Sequence, residues 1–215
     1  MARPLSGKQA TAALWPGADR REREREAKRE AVLLAAVRLF NTRGYHATSL
    51  DDVATALRVT KPTIYHYFAN KDEILFECVR RGLDGLAEAA RQASAQGGTA
   101  AQRLEAVLIA YGVLITSDFG ICVTRTQDHL LAPESRARFR ALKRGIDGIL
   151  RGVIAEGQAD GTLSVADARI AAFTAAGALN GLGQWFDPAG PRSREEIARA
   201  TVAVLMGGMT ARKGS

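Results

Sequence analysis

The 215-residue chain holds only two cysteines, Cys78 and Cys122, 44 positions apart and without a CxxC pair. That excludes a disulfide framework and the common zinc-ribbon spacings. It reads as two ordinary buried thiols in a reducing compartment. Histidine is equally scarce: His46, His66 and His129 are scattered. No HExxH, GxSxG or phosphate-cradling glycine loop occurs, so neither a metal nor a cofactor is expected and an enzyme is disfavoured. No apolar run approaches the length of a membrane span. The N-terminus lacks the contiguous apolar core of a signal peptide. Strand-like alternation is missing too. The chain is therefore expected to be all-α, soluble and cytoplasmic, with no membrane partner.

What is present begins with charge. The formal net charge is +7, and it is uneven: residues 1–72 hold 13 Lys/Arg against 8 Asp/Glu, whereas residues 73–215 hold 17 against 15. A third of the chain carries most of the excess, which fits a polyanionic partner. Residues 1–20, with Pro4, Gly7, Pro16 and Gly17 and no periodicity, read as a disordered arm. The run from Arg20 to Glu30, RREREREAKRE, has Glu22, Glu26 and Glu30 one turn apart and Glu24 four before Lys28. It reads either as a solvated extension of the first helix or as a basic arm directed at a minor groove.

Three short amphipathic segments follow. Val32, Ala36, Leu39 and Phe40 share one helical face; Leu50, Val53, Ala54 and Leu57 share a second; Ile64, Tyr67 and Phe68 share a third. Gly44 can end the first helix in the left-handed conformation. Thr48 is the expected N-cap of the second, with Asp51 three residues on. Thr60 is the expected N-cap of the third, which spans Lys61 to Tyr67 with Pro62 in its first turn. Asn70, ahead of Glu73, caps a fourth. A seven-residue helix, a tight turn and a second short helix make a helix-turn-helix, whose second helix enters the DNA major groove. The outward positions of that helix are Lys61, Pro62, Thr63, Tyr65 and His66.

These residues resemble the DNA-binding domain of the TetR/AcrR family of bacterial regulators. The resemblance rests on Ala35-Ala36, Leu39-Phe40, Gly44-Tyr45, Thr48-Ser49, Asp52-Val53-Ala54, Val59-Thr60-Lys61, Thr63 to Phe68 and Lys71 to Leu75. It implies that Tyr65, Lys71 and Thr48 bind phosphate, while Lys61, Pro62 and Thr63 face base edges. Two positions depart from the family pattern. Arg58 stands where the turn usually has glycine, and Pro62 where glycine or alanine is usual. Arg58 is a further candidate phosphate contact.

The domains expected are residues 21–70 for DNA binding and 71–215 for effector binding and dimerisation, with about nine helices in all. The later helices are expected from about 71 to 95, 100 to 116, a short one after Gly120, 133 to the Gly157 region, 166 to 186, and a last one capped by Ser193. One helix-turn-helix reads too few base pairs for specificity, so a homodimer on a palindromic operator of double-stranded DNA is expected, with recognition helices ~34 Å apart or a multiple of that. The last two helices suit the interface. AAFTAAGALNGLGQWF (171–186) is dense in small residues that permit close helix approach. The middle helices should enclose a small-molecule effector, with Tyr111, Ile115, Phe119, Arg125, His129, Phe173 and Trp185 as candidate lining. Residues from Gly120 onward also look like the C-terminal domain of TetR-type regulators of lipid and steroid catabolism, many of which sense acyl-CoA thioesters. Arg136, Arg140 and Arg144 are further cations for the phosphates of such a ligand. Gly181 stands where those relatives often have tryptophan. The expected function is an effector-controlled transcriptional repressor; the alternative is a non-specific or architectural DNA-binding protein.

Overall fold

The computed structural model describes residues 18–210. Residues 1–17 of the expected arm lie outside them, but residues 18–20 are already helical. Among the described residues there are nine α-helices and one 3-10 turn. These are α1 (Ala18–Arg43), α2 (Leu50–Leu57), α3 (Lys61–Tyr65), α4 (Lys71–Ser94), α5 (Ala100–Ile115), α6 (Asp118–Arg125), the 3-10 turn Asp128–Leu130, α7 (Pro133–Ala159), α8 (Ala168–Trp185) and α9 (Arg194–Met209). The only β pairing among them is an isolated bridge between Leu163 and Thr210.

Local chemistry sets the helix ends. Gly44, at φ +87°, lets the chain turn after α1. Ser49, not Thr48, caps α2. Its Oγ accepts from the Asp52 amide at 3.1 Å, and Asp52 Oδ2 accepts from the Ser49 amide at 2.7 Å. The cap falls one residue later than the sequence predicts because Thr48 is already committed. Its hydroxyl donates inward to the carbonyls of Gly44, at 2.9 Å, and Leu39. Asn70 caps α4 by accepting from the Glu73 amide. Thr99 and Ser193 close full capping boxes on α5 and α9 with Gln102 and Glu196. Thr60 occupies the N-cap position of α3 without a side-chain cap bond. The α3 helix also stops at Tyr65, short of the expected Tyr67, because the Tyr67 amide bonds three residues back to Ile64.

Helices α1, α2 and α3 share the small core foreseen from spacing: Val32, Ala36, Phe40, Leu50, Val53, Ala54, Ile64 and Phe68 are all buried. Helix α4 runs from this unit into the larger bundle, packing chiefly on α5 and α7, while α9 packs on α5. Helices α5 and α6 meet at 88°. That corner requires Gly120, because a Cβ there would collide with the Leu114 carbonyl oxygen. No single helix among the described residues is long and apolar enough to cross a membrane.

Candidate nucleic-acid interface and effector cavity

The outer surface of α2 and α3 carries the predicted contacts in unequal states of readiness. Tyr65 is half exposed. Arg58, Pro62 and His66 are exposed, and His66 meets the Tyr67 ring edge-on. Thr63 is half-buried, its hydroxyl 3.0 Å from that of Thr60. Lys61 is exposed but its ammonium donates to Asp51 at 2.7 Å, bracing α3 against the first turn of α2. That hydrogen bond and the Asp51 charge raise its pKa. Arg58 sits at φ 57°, ψ 41°, the one non-glycine residue with positive φ among those described. The turn keeps its left-handed geometry although the side chain makes it sterically costly.

Two predicted phosphate contacts are placed differently from the expectation. Thr48 is 1% exposed and its hydroxyl faces the interior, so the side chain offers nothing to a phosphate. The first-turn amides of Leu50 and Asp51 have no intrahelical acceptor. Lys71 lies beneath this turn. Its ammonium donates to the carbonyls of Tyr45 and Thr48 at 2.6 and 2.7 Å and rests 4.2 Å from the centre of the Tyr45 ring. Burial lowers its pKa. Lys71 therefore ties the α1–α2 turn to the start of α4, with one proton of the ammonium left over.

A separate cavity of about 440 Å³ opens among α4, α5, α6, α7 and α8. Tyr111 and Phe173 line it as expected. Burial pushes the Tyr111 phenol up to about 12, and its hydroxyl donates to Asn180 Oδ1 at 2.9 Å. The other five expected lining residues lie elsewhere. Ile115 is fully buried under the α5–α6 corner. Phe119 packs its backbone against Gly82 of α4. His129 is exposed in the 3-10 turn. Trp185 is 61% exposed at the end of α8. Arg125 points away to α1 and lines a second cavity of about 330 Å³ against the α1–α2 turn. In each case periodicity assigns a helical face without saying which neighbour that face meets.

The lining that sequence reasoning missed is the polar part: Thr124, Thr126, Lys143, Asp147, Asn180 and Gln184, beside Leu83, Ile146 and Leu150. Asn180 had a signal, since it precedes the unusual Gly181, which also lines the cavity. Lys143 and Arg140 both pair with Asp128, while Arg136 donates to the Asp128 and Leu131 carbonyls. A cationic edge thus exists near the cavity, with Arg140 and Lys143 held by the Asp128 carboxylate and Arg136 by backbone carbonyls.

The two sites are joined through α6. Arg125 donates to the Asn41 carbonyl, the Asn41 amide donates to the Asp118 carbonyl at 2.8 Å, and Arg38 pairs with Asp118 at 3.1 Å. Val123, Thr124 and Thr126, on or just beyond the same helix, line the cavity. Helix α6 thus touches both the cavity and the last turns of α1. The thiols of Cys78 and Cys122 are buried, and burial pushes Cys122 up to about 12 and Cys78 up strongly. Among the described residues no group of His, Cys, Asp and Glu is arranged to hold a metal ion.

Large exposed hydrophobic side chains fall in two places only among the described residues. Val59 and Tyr65 are in the helix-turn-helix; Ile170, Phe173, Trp185 and Val204 are on α8 and α9.

Comparison with known proteins agrees with this geometry. Residues 32–78 match the family model described as bacterial regulatory proteins, tetR family, and residues 97–209 match tetracyclin repressor-like, C-terminal domain. The chain is 27% identical over 188 residues to the HTH-type transcriptional activator FasR of Mycolicibacterium smegmatis, covering 86% of this chain and 84% of FasR. The crystal structure of the TetR family regulator PfmR from Thermus thermophilus superposes with a TM-score of 0.76 at 31% identity, over 82% of this chain and 97% of that one. The structure of AibR in complex with isovaleryl coenzyme A and operator DNA superposes with a TM-score of 0.73 at 29% identity, over 83% of this chain and 97% of that one.

Proposed function

Because the chain belongs to the TetR family of bacterial regulatory proteins, we infer that it is a homodimeric, non-enzymatic transcriptional repressor of the cytoplasm whose hold on a palindromic operator is set by a small hydrophobic effector. The observation that carries this reading is the hydrogen-bonded connection from the cavity-lining α6 to α1 of the helix-turn-helix, through Arg125, Asn41, Asp118 and Arg38. Effector binding controls DNA only if the ligand prefers one setting of these helices over the other. A connection of this kind supplies the two settings with something to differ in.

The effector class that fits best is an acyl-CoA thioester. The cavity has an apolar wall from Leu83, Ile146, Leu150 and Phe173, with Tyr111, Asn180 and Thr126 for a carbonyl and Lys143 beside it for an anionic group. AibR, of similar structure, was solved with isovaleryl coenzyme A and operator DNA together. FasR is named an activator, so activation of transcription is the second reading. The domain roles proposed are residues 21–70 for DNA and 71–215 for effector and partner subunit.

The test is fluorescence anisotropy on a duplex from the region upstream of the protein's own gene, with a random-sequence duplex beside it, over a salt series. Preference for the upstream duplex by about 1,000-fold or more supports the reading. Equal binding to both supports the architectural alternative and overturns it. Isovaleryl-CoA and longer acyl-CoAs are then titrated in. Release or tightening on acyl-CoA supports effector control, a reporter fused to the upstream region separates repression from activation, and indifference to every chain length overturns the acyl-CoA assignment.

A further inference from the structure

The alternating run from Arg20 to Glu30 is the one strong sequence feature that neither the helix-turn-helix nor the cavity uses. The structure makes it the first half of α1, and the helix sorts its charges by face. Glu26 and Glu30 turn toward α4, where Arg81 pairs with both, and Arg29 bridges Glu26 and Glu77. Glu24 is taken by Arg20. Arg21, Arg25 and Lys28, at i, i+4 and i+7, share one face. All three are exposed, and among the described residues no carboxylate pairs with them. What reads in sequence as a balanced run is, in space, an acidic edge paired with α4 and a cationic ridge left unpaired.

The ridge has a defined place. The next position on its face is Val32, which is 3% exposed. Arg29, beside it, lies 4.8 Å over the ring of Phe68, three residues past the exposed Tyr65 of α3. The ridge therefore continues, into solvent, a buried face of α1 that begins at Val32, beside the Arg29 contact with Phe68 at the end of the helix-turn-helix. At 1.5 Å per residue it is about 10 Å long.

We propose that Arg21, Arg25 and Lys28 form a second DNA contact that grips the phosphate backbone beside the groove entered by α3. The proposal rests on the DNA-binding reading above. A duplex presents one negative charge per ~1.7 Å of axis, so cations one turn apart on a rigid rod meet it without any sequence requirement. The pairing of Glu26 and Glu30 with Arg81 does two things here. It fixes the rotation of α1 about its axis, and it draws two acids away from the phosphates.

The experiment uses the full chain, a random-sequence 40-base-pair duplex and a salt series. The triple variant R21Q/R25Q/K28Q is compared with the wild type and with R23Q, which removes a cation from the other side of the helix. Circular dichroism and sedimentation first establish that all three are folded and of equal size. Each phosphate contact contributes ~0.9 to the slope of log affinity against log salt. The six ridge side chains of a dimer predict a slope shallower by about five, with at least about tenfold weaker binding at moderate salt. A slope shallower than that of the control variant by about two or more bears the proposal out; any smaller difference overturns it. The readout needs no operator. A wild type that binds random DNA steeply yet does not prefer its upstream region defeats the regulator reading and leaves the ridge standing.

Discussion

Lys71 Nζ lies 2.7 Å from the carbonyl oxygen of Thr48 and donates to it, while the Thr48 hydroxyl turns away to Gly44 and Leu39. With its second bond to the Tyr45 carbonyl at 2.6 Å, the lysine holds the turn that positions α2. Lys71→Met keeps the aliphatic stem and removes the donors. Hydrogen bonds to charged groups contribute ~1.5–3 kcal/mol. Urea denaturation should show a loss of about 2 kcal/mol at unchanged m-value. A variant as stable as the wild type refutes the structural role and leaves only a phosphate contact.

Arg58 adopts φ 57°, which costs an L-residue ~1–2 kcal/mol relative to glycine's freedom. Arg58→Gly should therefore gain about 0.5–1 kcal/mol, part of the relief being offset by the greater chain entropy of glycine when unfolded. The same change removes a cation from the turn between α2 and α3. Melting temperature should rise while affinity for duplex DNA falls. If both rise, Arg58 contacts no phosphate.

The contrast between these residues and the cavity shows what a sequence can carry. Gly44, Asn70, Pro62 and the Ile64, Phe68 face act through contacts within a few positions, so spacing alone locates α1 to α4. The α2 cap falls at Ser49 instead of Thr48 because two adjacent hydroxyls can each cap, and only the inward bond of Thr48 separates them. Tyr111 and Asn180 meet across 69 positions, and Ile115 and Trp185 leave the cavity because of the α5–α6 corner and the end of α8. Such placements depend on how helices cross, which local periodicity does not encode.

Glu77 is 8% exposed and accepts two bonds from Arg80, with Arg29 at 3.4 Å joining α1 to α4. The Arg80 hydrogen bonds, then the charges of Arg80 and Arg29, hold its carboxyl below the ordinary 4.5 despite burial. A carboxylate depressed in the folded state contributes stability above its unfolded pKa and loses it as pH falls through the folded value. The Glu77 contribution should thus be complete at about pH 6 and decline below about pH 4.5. Glu77→Gln should cost about 1–3 kcal/mol at about pH 7, with the gap to the wild type narrowing as the pH is lowered. A gap independent of pH would falsify the ionic origin.

Val204 is 78% exposed and Ile170 64% exposed, on neighbouring helices α9 and α8. An apolar face of this kind is costly in water and fits a second copy of the chain. Val204→Asp places a charge where the partner subunit would dehydrate it. Sedimentation velocity should show the dimer dissociating at concentrations roughly 100-fold higher than for the wild type, and operator affinity should fall with it. An unchanged dimer places the interface elsewhere.

Gly181 lines the cavity, and a Cβ added there would meet nothing within 4 Å. It also lies inside α8, where glycine costs ~0.5–1 kcal/mol relative to alanine. Both facts make the position permissive to a large side chain. Gly181→Trp should send its indole into the 440 Å³ space beside Phe173 and Leu150. The helix loses a flexible residue and the apolar wall gains a partner, so the melting temperature should hold or rise. The room for a long acyl chain should shrink. Anisotropy with acyl-CoAs of increasing length should then show the response surviving for short chains and failing for long ones, while DNA binding without ligand stays as it was. Stability and ligand range moving in opposite directions mark the cavity as the effector site. If the long chains still act on the variant, the effector enters somewhere other than the space among α4, α5, α6, α7 and α8.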